Sequence, residues 1–457
     1  MVLLDATIVN VALKSIDDGL HASAESLEWV LSGYALSFGL LLVPGGRLGD
    51  VRGRKQLFII ALFIFVVASA LCGLAPNAIS LVLARVAQGL GGGLLTPQVS
   101  GLIQQMFQGR ERATAFAMFG AVVGVASALG PPIGGVLIAL FGNDDGWRAV
   151  FLVNVPIGLA TLVLAVKLLP GQARGHVEDR RYDAIGVLLL GSSIVLLLLP
   201  IIESRSSGLA IWACLPVALL LWGTFAWWER RQTARNAEPM VQLSLFTRPS
   251  YATGLILAAC YFAGLIPLFF MLTLLLQSGL HYSALAAGIT SGPYAIGSAL
   301  SSAVAGRFSE RLTRPSVALG LILMIAGNIG VLIAVQFFVG PLVGFALIVP
   351  LLVGGIGSGL VIALLQTITL SQVPVSMGGT ASGVQQVAQR MGTAIGVAIA
   401  GAVFFGRVVE GQPGSPDYLP ALNAGVFVAN AFLLVSFCVA LVDIRMHRLR
   451  KAQPAAA

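Results

Sequence analysis

The 457-residue chain is 57% hydrophobic and only 10% charged, with a mean hydropathy of +0.92. An ordinary soluble domain carries about 25% charged residues, so this composition excludes a water-soluble fold and indicates a lipid environment. The net charge of +8 would suggest nucleic acid in a soluble protein. Here basic cytoplasmic loops explain it better, because no basic stretch is interleaved with aromatics outside the apolar runs.

Long apolar runs follow one another along the whole chain. A helix needs about 20 apolar residues to cross the ~30 Å hydrocarbon core. The runs are continuous rather than alternating, which predicts helices and excludes a β-barrel. We predict fourteen transmembrane helices, at residues 2–14, 27–46, 56–74, 79–101, 114–141, 149–169, 184–201, 209–228, 250–277, 284–305, 316–338, 341–366, 380–406 and 421–443.

The distribution of Lys and Arg predicts the orientation in the membrane. If the N-terminus is cytoplasmic, 21 of the 27 basic residues fall in inner segments. An odd number of spans would destroy this asymmetry. The pattern therefore predicts a multi-pass protein of the bacterial inner (cytoplasmic) membrane with both termini in the cytoplasm.

The first span is shorter than the others. About 13 residues lead up to Lys14, which is roughly 20 Å of helix and too little to cross the bilayer. We therefore expect a truncated first helix, from a misplaced start codon or from a helix that begins within the membrane.

A loop motif occurs twice. Residues 46–55 and 306–311 both read Gly-Arg-apolar-small-acid or a close variant, about 260 residues apart. Such repeats are typical of secondary transporters, in which two parallel halves form a substrate cavity near the midplane. The predicted layout is an N-terminal six-helix bundle, two extra helices with cytoplasmic linkers, a C-terminal six-helix bundle and a cytoplasmic tail, at residues 1–170, 171–249, 250–443 and 444–457.

Three charged residues lie inside apolar runs. A charge at the bilayer centre costs about 2.5–3.5 kcal/mol on insertion scales, so such residues have a function or a partner. Asp5 is a candidate proton site, unless it reaches the cytoplasmic surface. Arg85 shares a helix face with Gln88. It either changes hydrogen-bond partners or is a static charge held by carbonyls and Gln88. Arg390, on a face with Gln386, contacts substrate, caps a cavity or extends to the surface.

Five ordered motifs resemble those of the major facilitator superfamily, specifically its fourteen-span drug:proton antiporter branch. The likeness covers essentially the whole chain. Lys14 departs from the pattern, since the family usually has Pro there. The motifs occupy residues 4–13, 46–55, 81–93, 120–135 and 147–158.

The resemblance implies roles for particular residues. Asp5, Arg85 and Arg390 are assigned to proton coupling. A conformational latch is implied in the first repeated loop, where Asp50 would reach the N-terminal end of a neighbouring helix, and its members are Gly46, Asp50, Gly53 and Arg54. The alternative is a topology signal only. The antiporter motif of the fifth span would seal the cytoplasm-facing state against ion leak, or is ordinary tight packing, and comprises Gly120, Gly124, Gly130, Pro131 and Gly134.

A substrate pocket is expected to use aromatic and amide side chains. Aromatic faces suit cationic amphipaths, although in such proteins most aromatics face lipid or other helices. The candidates are Tyr34, Phe38, Gln88, Asn154, Tyr261, Phe262, Gln277 and Gln386. The four histidines fall in loops without metal spacing, so no metal site is expected.

The chain has no phosphate-binding loop and no nucleophile or zinc-protease motif. We therefore expect no enzyme activity and no cofactor, with the proton gradient as the energy source.

The predicted function is export of drugs or toxic small molecules in exchange for protons by alternating access. The expected partners are a small amphipathic or cationic substrate, protons and the bilayer, with a monomeric protein. The alternative is a proton-coupled symporter or importer of a small metabolite on the same fold. Buried charge argues against a scaffold.

Overall fold

The computed structural model describes residues 1–142, 145–170, 183–202, 209–235, 239–306, 310–338, 340, 342–410 and 416–452. These residues are overwhelmingly helical. The α-helices are α1 (Val2–Leu20), α2 (Ala24–Arg52), α3 (Arg54–Gly73), α4 (Ala78–Met106), α5 (Gly109–Phe141), α6 (Gly146–Leu152), α7 (Asn154–Leu168), α8 (Ala184–Ile202), α9 (Cys214–Ala234), α10 (Pro249–Leu274), α11 (Ala284–Ala305), α12 (Glu310–Phe337), α13 (Leu342–Ala346), α14 (Ile348–Thr369), α15 (Gly378–Phe405) and α16 (Leu419–Ala452).

Short elements join or extend these helices. One π-helical turn, Leu275–Gly279, continues α10. In the described part of the chain, extended pairing is limited to β1 (Val409–Glu410) and β2 (Pro416–Asp417), which are antiparallel. The 3₁₀ turns are Leu209–Ala213, Leu243–Leu245 and Val375–Met377.

Each of the fourteen predicted runs overlaps a helix or a pair of consecutive helices. Within the described residues, ten helical segments are long and apolar enough to cross a membrane. Shorter apolar helical segments lie at Pro132–Phe141 and Ile185–Leu197. The chain is therefore a multi-pass membrane protein, and the count of fourteen spans stays a prediction. The ten segments are Glu25–Arg52, Arg54–Gly73, Ala78–Met106, Gly146–Leu168, Ile211–Ala234, Pro249–Gly279, Leu312–Phe337, Leu342–Thr369, Val375–Phe405 and Leu419–Leu449.

The first helix is longer than its sequence predicts. Helix α1 has 19 residues and continues past Lys14 to Leu20, which corresponds to about 28 Å. The prediction of a first helix that stops near Lys14 was wrong, because the later charges lie on an exposed face. Lys14 and Asp17 are exposed, whereas the opposite face is buried at Ile8, Val9, Ala12 and Ile16. The left-handed conformation of His21 ends the helix.

The described chain divides into two compact units. Unit 1 consists of Met1–Met106, Leu129–Leu245 and Val373–Val387, and unit 2 of Phe107–Ala128, Phe246–Gln372 and Ala388–Ala457. Helices α5 and α15 are thus each divided between the units. Unit 1 includes the extra pair, α8 and α9, and α8 packs on both α9 and α2. The predicted bundle layout stays a prediction.

The repeat seen in the loops extends to helix packing inside each unit. In unit 1, Gly89 on α4 packs against the backbone carbonyl of Tyr34 on α2. In unit 2, Gly355 on α14 packs in the same way against Tyr294 on α11. Tyr294 lies 260 residues after Tyr34, the spacing of the repeated loop. The absence of a side chain lets each helix pair approach backbone to backbone.

This packing predicts a large effect of a single methyl group in unit 2. A Cβ at Gly359 on α14 would collide with the carbonyl of Ser298, which is backbone and cannot move aside. We expect Gly359→Ala to lower the free energy of unfolding by about 1–3 kcal/mol, measured as a fall in Tm of the purified protein. Gly288→Ala is the matched control, because nothing lies within 4 Å of its Cβ position. An equal Tm for both variants would contradict this packing.

Candidate functional site

A buried carboxylate lies at the centre of unit 1. Asp5 on α1 is 0% exposed. Its Oδ2 accepts a hydrogen bond from Arg85 Nη1 at 2.7 Å. Its Oδ1 accepts from Gln88 Nε2 and from Asn154 Nδ2, both at 2.9 Å. Three donors from α4 and α7 therefore satisfy a charge that the surrounding apolar side chains could not stabilise.

Arg85 is held by a second set of contacts. Its Nε donates to the carbonyl of Val30 at 3.0 Å, and its Nη1 also donates to Gln88 Oε1 at 2.8 Å. The guanidinium carbon lies 4.0 Å from the centroid of the Tyr34 ring, a distance at which the π face attracts a cation. The residue is 1% exposed. Because a guanidinium keeps its charge in proteins, burial requires this full set of partners.

Ser69 joins this network, although sequence reasoning missed it. Its hydroxyl accepts from Gln88 Nε2 at 3.1 Å and from Asn154 Nδ2 at 3.2 Å. It donates to the carbonyl of Phe151 at 2.9 Å. The sequence signal is weak, since a single serine in the apolar run of α3 is ordinary. Ser69 lies three residues before Cys72, on the same face of α3. Cys72 also contacts this network, at 3.6 Å from Gln88 Oε1, so the spacing of these two residues is the one sequence signal of a polar face.

The network retains one open acceptor. Asn154 Oδ1 is buried and has no hydrogen-bond partner among the described residues. A buried, unsatisfied amide oxygen costs about 1–3 kcal/mol. We define the Asp5 network as Asp5, Ser69, Arg85, Gln88 and Asn154. Its two charged side chains are paired with each other, whereas Asn154 Oδ1 remains an open hydrogen-bond acceptor beside the carboxylate.

The structure places Asp50 at the N-terminal end of α15. Its Oδ1 accepts from the backbone N–H of Gly379 at 3.0 Å. Its Oδ2 accepts from the N–H of Thr380 at 2.7 Å and from the Thr380 hydroxyl at 2.9 Å. These N–H groups belong to the first turn of the helix, where the macrodipole favours an anion.

Arg54 holds the same carboxylate from the other side. Its Nη2 lies 2.7 Å from Asp50 Oδ1, and the guanidinium also donates to the carbonyls of Gly101 and Val375. Gly53 has a φ of 109°, which L side chains rarely adopt, at the break between α2 and α3. Gly46 abuts the carbonyl of Gly379 too closely for a Cβ. Gly46, Asp50 and Arg54 therefore meet the start of α15 within unit 1, and Gly53 forms the turn that precedes Arg54.

The small residues of α5 divide between the two units. In unit 2, Gly120 packs on Ile362 and Ala363, and Gly124 on Ser298. In unit 1, Gly130 faces Thr7 of α1. There too Gly134 faces Ile8. The backbone of Pro131 is helical, and its side chain lies outside the described residues. Each glycine therefore serves close helix contact inside its own unit, in agreement with tight packing.

The predicted pocket residues separate into two groups. Gln88 and Asn154 belong to the Asp5 network, and the Tyr34 ring lies against Arg85 and stacks on Phe38 at 6.0 Å. In unit 2, Tyr261 is fully buried and its hydroxyl lies 2.7 Å from Ser358 Oγ.

The remaining candidates have other surroundings. Phe262 meets the Tyr261 ring edge-on at 5.0 Å. Gln277 is exposed on the π-helical turn, and Arg390 is exposed on α15 in unit 2. Gln386 is half-buried and donates to Ser382 Oγ at 3.3 Å.

Comparison with known proteins defines the family. A sequence model described as the Major Facilitator Superfamily matches residues 1–397. This chain belongs to the major facilitator superfamily. The family predicted from the motifs is thereby confirmed, and the protein is a membrane transporter of this superfamily rather than an enzyme. The described residues have the corresponding all-helical fold.

Curated relatives include proteins named for antibiotic transport, antibiotic export and multidrug resistance. The chain is 39% identical to the "Probable actinorhodin transporter" of Streptomyces coelicolor, over 91% of this chain and 72% of that protein. It is 31% identical to the "Tetracenomycin C resistance and export protein" of Streptomyces glaucescens, over 90% and 75%. It is 30% identical to the "Multidrug resistance protein Stp" of Mycobacterium tuberculosis, over 88% and 73%.

A solved structure supports the major facilitator fold. The human organic anion transporter MFSD10 (TETRAN) superposes with a TM-score of 0.67 over 96% of both chains. At 15% sequence identity this likeness concerns the fold alone.

The buried pair predicts a steep loss of stability in this transporter when one partner is neutralised. Asp5→Asn leaves Arg85 buried without its counter-charge, and we expect a loss of about 3–5 kcal/mol, measured by Tm in detergent. The double variant Asp5→Asn/Arg85→Gln removes both charges and should recover most of the loss. Asp145→Asn breaks an exposed pair with Arg148 and should cost less than about 1 kcal/mol. Equal losses in the two single Asp variants would contradict this account.

The Asp50 contacts predict a local effect at the start of α15. Charge-assisted hydrogen bonds contribute about 1.5–3 kcal/mol each. In Asp50→Asn we expect the amides of Gly379 and Thr380 to exchange about tenfold faster or more, measured by hydrogen–deuterium exchange. Asp17→Asn neutralises an exposed carboxylate on α1 and should leave these amides unchanged. Unaltered protection in Asp50→Asn would show that the carboxylate does not hold this turn.

Proposed function

We propose that this transporter exports drugs or toxic small molecules in exchange for protons by alternating access. The observation that carries the proposal is the Asp5–Arg85 pair, in which a titratable carboxylate and a permanent cation are buried together in unit 1. Charge inside a membrane span is costly and marks proton or ion pathways in transporters. Relatives whose names state antibiotic export support an outward direction of transport.

The proposed coupling is an exchange of partners at Asp5. Arg85 stays charged, so a proton that binds Asp5 replaces the guanidinium as its counter-charge. Arg85 keeps Val30, Gln88 and the Tyr34 face as alternative contacts. The unpartnered Asn154 Oδ1 offers a hydrogen-bond acceptor for the water or proton that approaches. In this proposal the contacts of Asp50 and Arg54 at α15 stabilise one state of the cycle, and Arg390 assists coupling from α15.

The surroundings of this cycle are part of the proposal. We place the protein in the bacterial inner membrane, as a monomer of fourteen spans with both termini in the cytoplasm, because this arrangement puts 21 of 27 basic residues inside. The bundles are those predicted above, at 1–170, 171–249, 250–443 and 444–457. The proton gradient supplies the energy, without a cofactor. One proton moved at 100 mV supports roughly a 50-fold solute gradient.

The proposed substrates are small amphipathic or cationic compounds. The names of the relatives add antibiotics such as actinorhodin and tetracenomycin C to the compounds worth testing. Tyr34, Phe38, Tyr261 and Phe262 offer aromatic faces suited to such molecules.

Efflux from energised cells or everted vesicles tests the function. We expect wild-type protein to expel ethidium, and a protonophore to abolish the efflux. Asp5→Asn and Arg85→Ala should reduce efflux to the background of cells without the transporter, because each removes one side of the exchange. Asp145→Asn, at an exposed carboxylate, should retain wild-type efflux at equal protein level.

Two outcomes would contradict parts of the proposal. Protonophore-sensitive efflux that survives in Asp5→Asn would move the proton site away from Asp5. Energy-dependent uptake of the tested compounds, without efflux, would favour a symporter or importer instead.

A further inference from the structure

Another buried carboxylate lies outside the Asp5 network, on the extra helix pair. Glu229 on α9 is 0% exposed. It faces the N-terminal end of α8, where Asp183 precedes the helix. Both residues belong to unit 1. Neither the motifs nor the proposed transport cycle assigns them a role.

Asp183 is well satisfied in its charged form. Its Oδ1 accepts from the backbone N–H of Gly186 at 2.9 Å, as a helix cap. The indole Nε1 of Trp228 donates to both carboxylate oxygens, at 3.1 and 3.0 Å. These donors stabilise a negative charge on Asp183, close to Glu229.

Glu229 is satisfied on one oxygen only. Its Oε2 accepts from the backbone N–H of Val241 at 3.2 Å. Its Oε1 is buried and has no hydrogen-bond partner in the part of the chain that the structure describes. The Cβ position of Gly186 lies 2.5 Å from Asp183 Oδ2 and 3.2 Å from Glu229 Oε1. Asp183 Oδ2 and Glu229 Oε1 are therefore no more than 5.7 Å apart. One water molecule can bridge that distance.

A neutral carboxylic acid fits these surroundings better than a carboxylate does. A protonated carboxyl has one carbonyl acceptor and one O–H donor. With the proton on Oε1, Oε2 accepts from Val241 and Oε1 donates towards the negative Asp183. Ionised Glu229 would instead bury an unpaired oxygen beside a like charge. Of the other charged groups nearby, Arg47 on α2 favours the ionised form electrostatically.

We propose that Glu229 is a second proton-binding site of this protein, and that its proton keeps the segment 239–245 docked on unit 1. Val241 is bonded to Glu229, and the apolar side chains of Met240, Val241 and Leu245 are buried there, at 2%, 2% and 0% exposure. Loss of the proton places two negative charges together and releases the segment. This segment joins α9 to α10, so the site gives the extra helix pair a pH-dependent connection to the next helix.

Thiol labelling of the full-length purified protein tests this proposal without substrate or gradient, so its outcome is separate from that of the efflux experiment. Met240→Cys is made in a background without the four native cysteines and treated with a maleimide from about pH 5 to about pH 9. Gln242→Cys, exposed in the same segment, is the reference that corrects for thiol ionisation. We expect the labelling ratio of position 240 to position 242 to rise with pH, by up to about tenfold per unit for one proton.

Variants of Glu229 identify the titrating group. Glu229→Gln mimics the protonated acid and should keep position 240 protected at every pH. Glu229→Asp retains a titratable carboxyl and should retain a pH-dependent ratio, which also keeps the test decisive if the Gln variant does not fold. A ratio independent of pH in the wild-type background would overturn the proposal. A pH-dependent ratio in Glu229→Gln would also overturn it. A high ratio at every pH in that variant would overturn it too, because it would show that Glu229 only anchors the segment.

Discussion

Lipid cannot solvate an isolated charge, so the ion pair of Asp5 and Arg85 constrains how unit 1 packs. The pair joins α1 to α4, and side chains of α7 and α3 extend its hydrogen bonds to two further helices. Helices that converge this closely need small residues where they cross. Gly89 provides that room against α2, as Gly130 of α5 does against α1. Glycines at the neighbouring crossings therefore give the helices the close approach that the buried pair also uses.

The two repeats share backbone packing but not charge. If Gly89 corresponds to Gly355, a shift of 266 residues, then Arg85 corresponds to Leu351 and Gln88 to Gly354. Unit 2 has its own buried polar contacts at other positions, a neutral one between Tyr261 and Ser358 and an ion pair between Arg314 and Asp443. Glycine contacts are preserved because they set the helix crossing. Charge at the position of Arg85 is not needed for that crossing, so the apolar Leu351 can occupy the equivalent place in the second repeat.

Much of this arrangement could be predicted from sequence, for reasons that are local. Apolar runs set the helices, and a charge inside a run identifies Asp5 and Arg85 without any structure. The length of α1 does not follow from the apolar run, because Lys14 interrupts the run, although a helix with one buried face tolerates charges on the other. Ser69 and Glu229 were missed because serine is common in apolar runs, and because Glu229 lies next to a basic cluster expected at a span end. Their environments depend on partners distant in sequence, such as Asn154 and Val241.

Asp5, Asp50 and Glu229 differ in what each can do, because their partners differ. Asp50 is bound by Arg54 and by backbone N–H groups that are fixed in the first turn of α15. Asp5 is bound by side chains alone, and side chains can change partners while the helices stay in place. Glu229 is bound by backbone N–H groups of the segment that follows α9, and among the described residues its Oε1 has no hydrogen-bond partner. A proton at Asp5 therefore competes with Arg85, whereas a proton at Glu229 completes a bond. Coupling to transport suits the first arrangement, and control of a connecting segment suits the second.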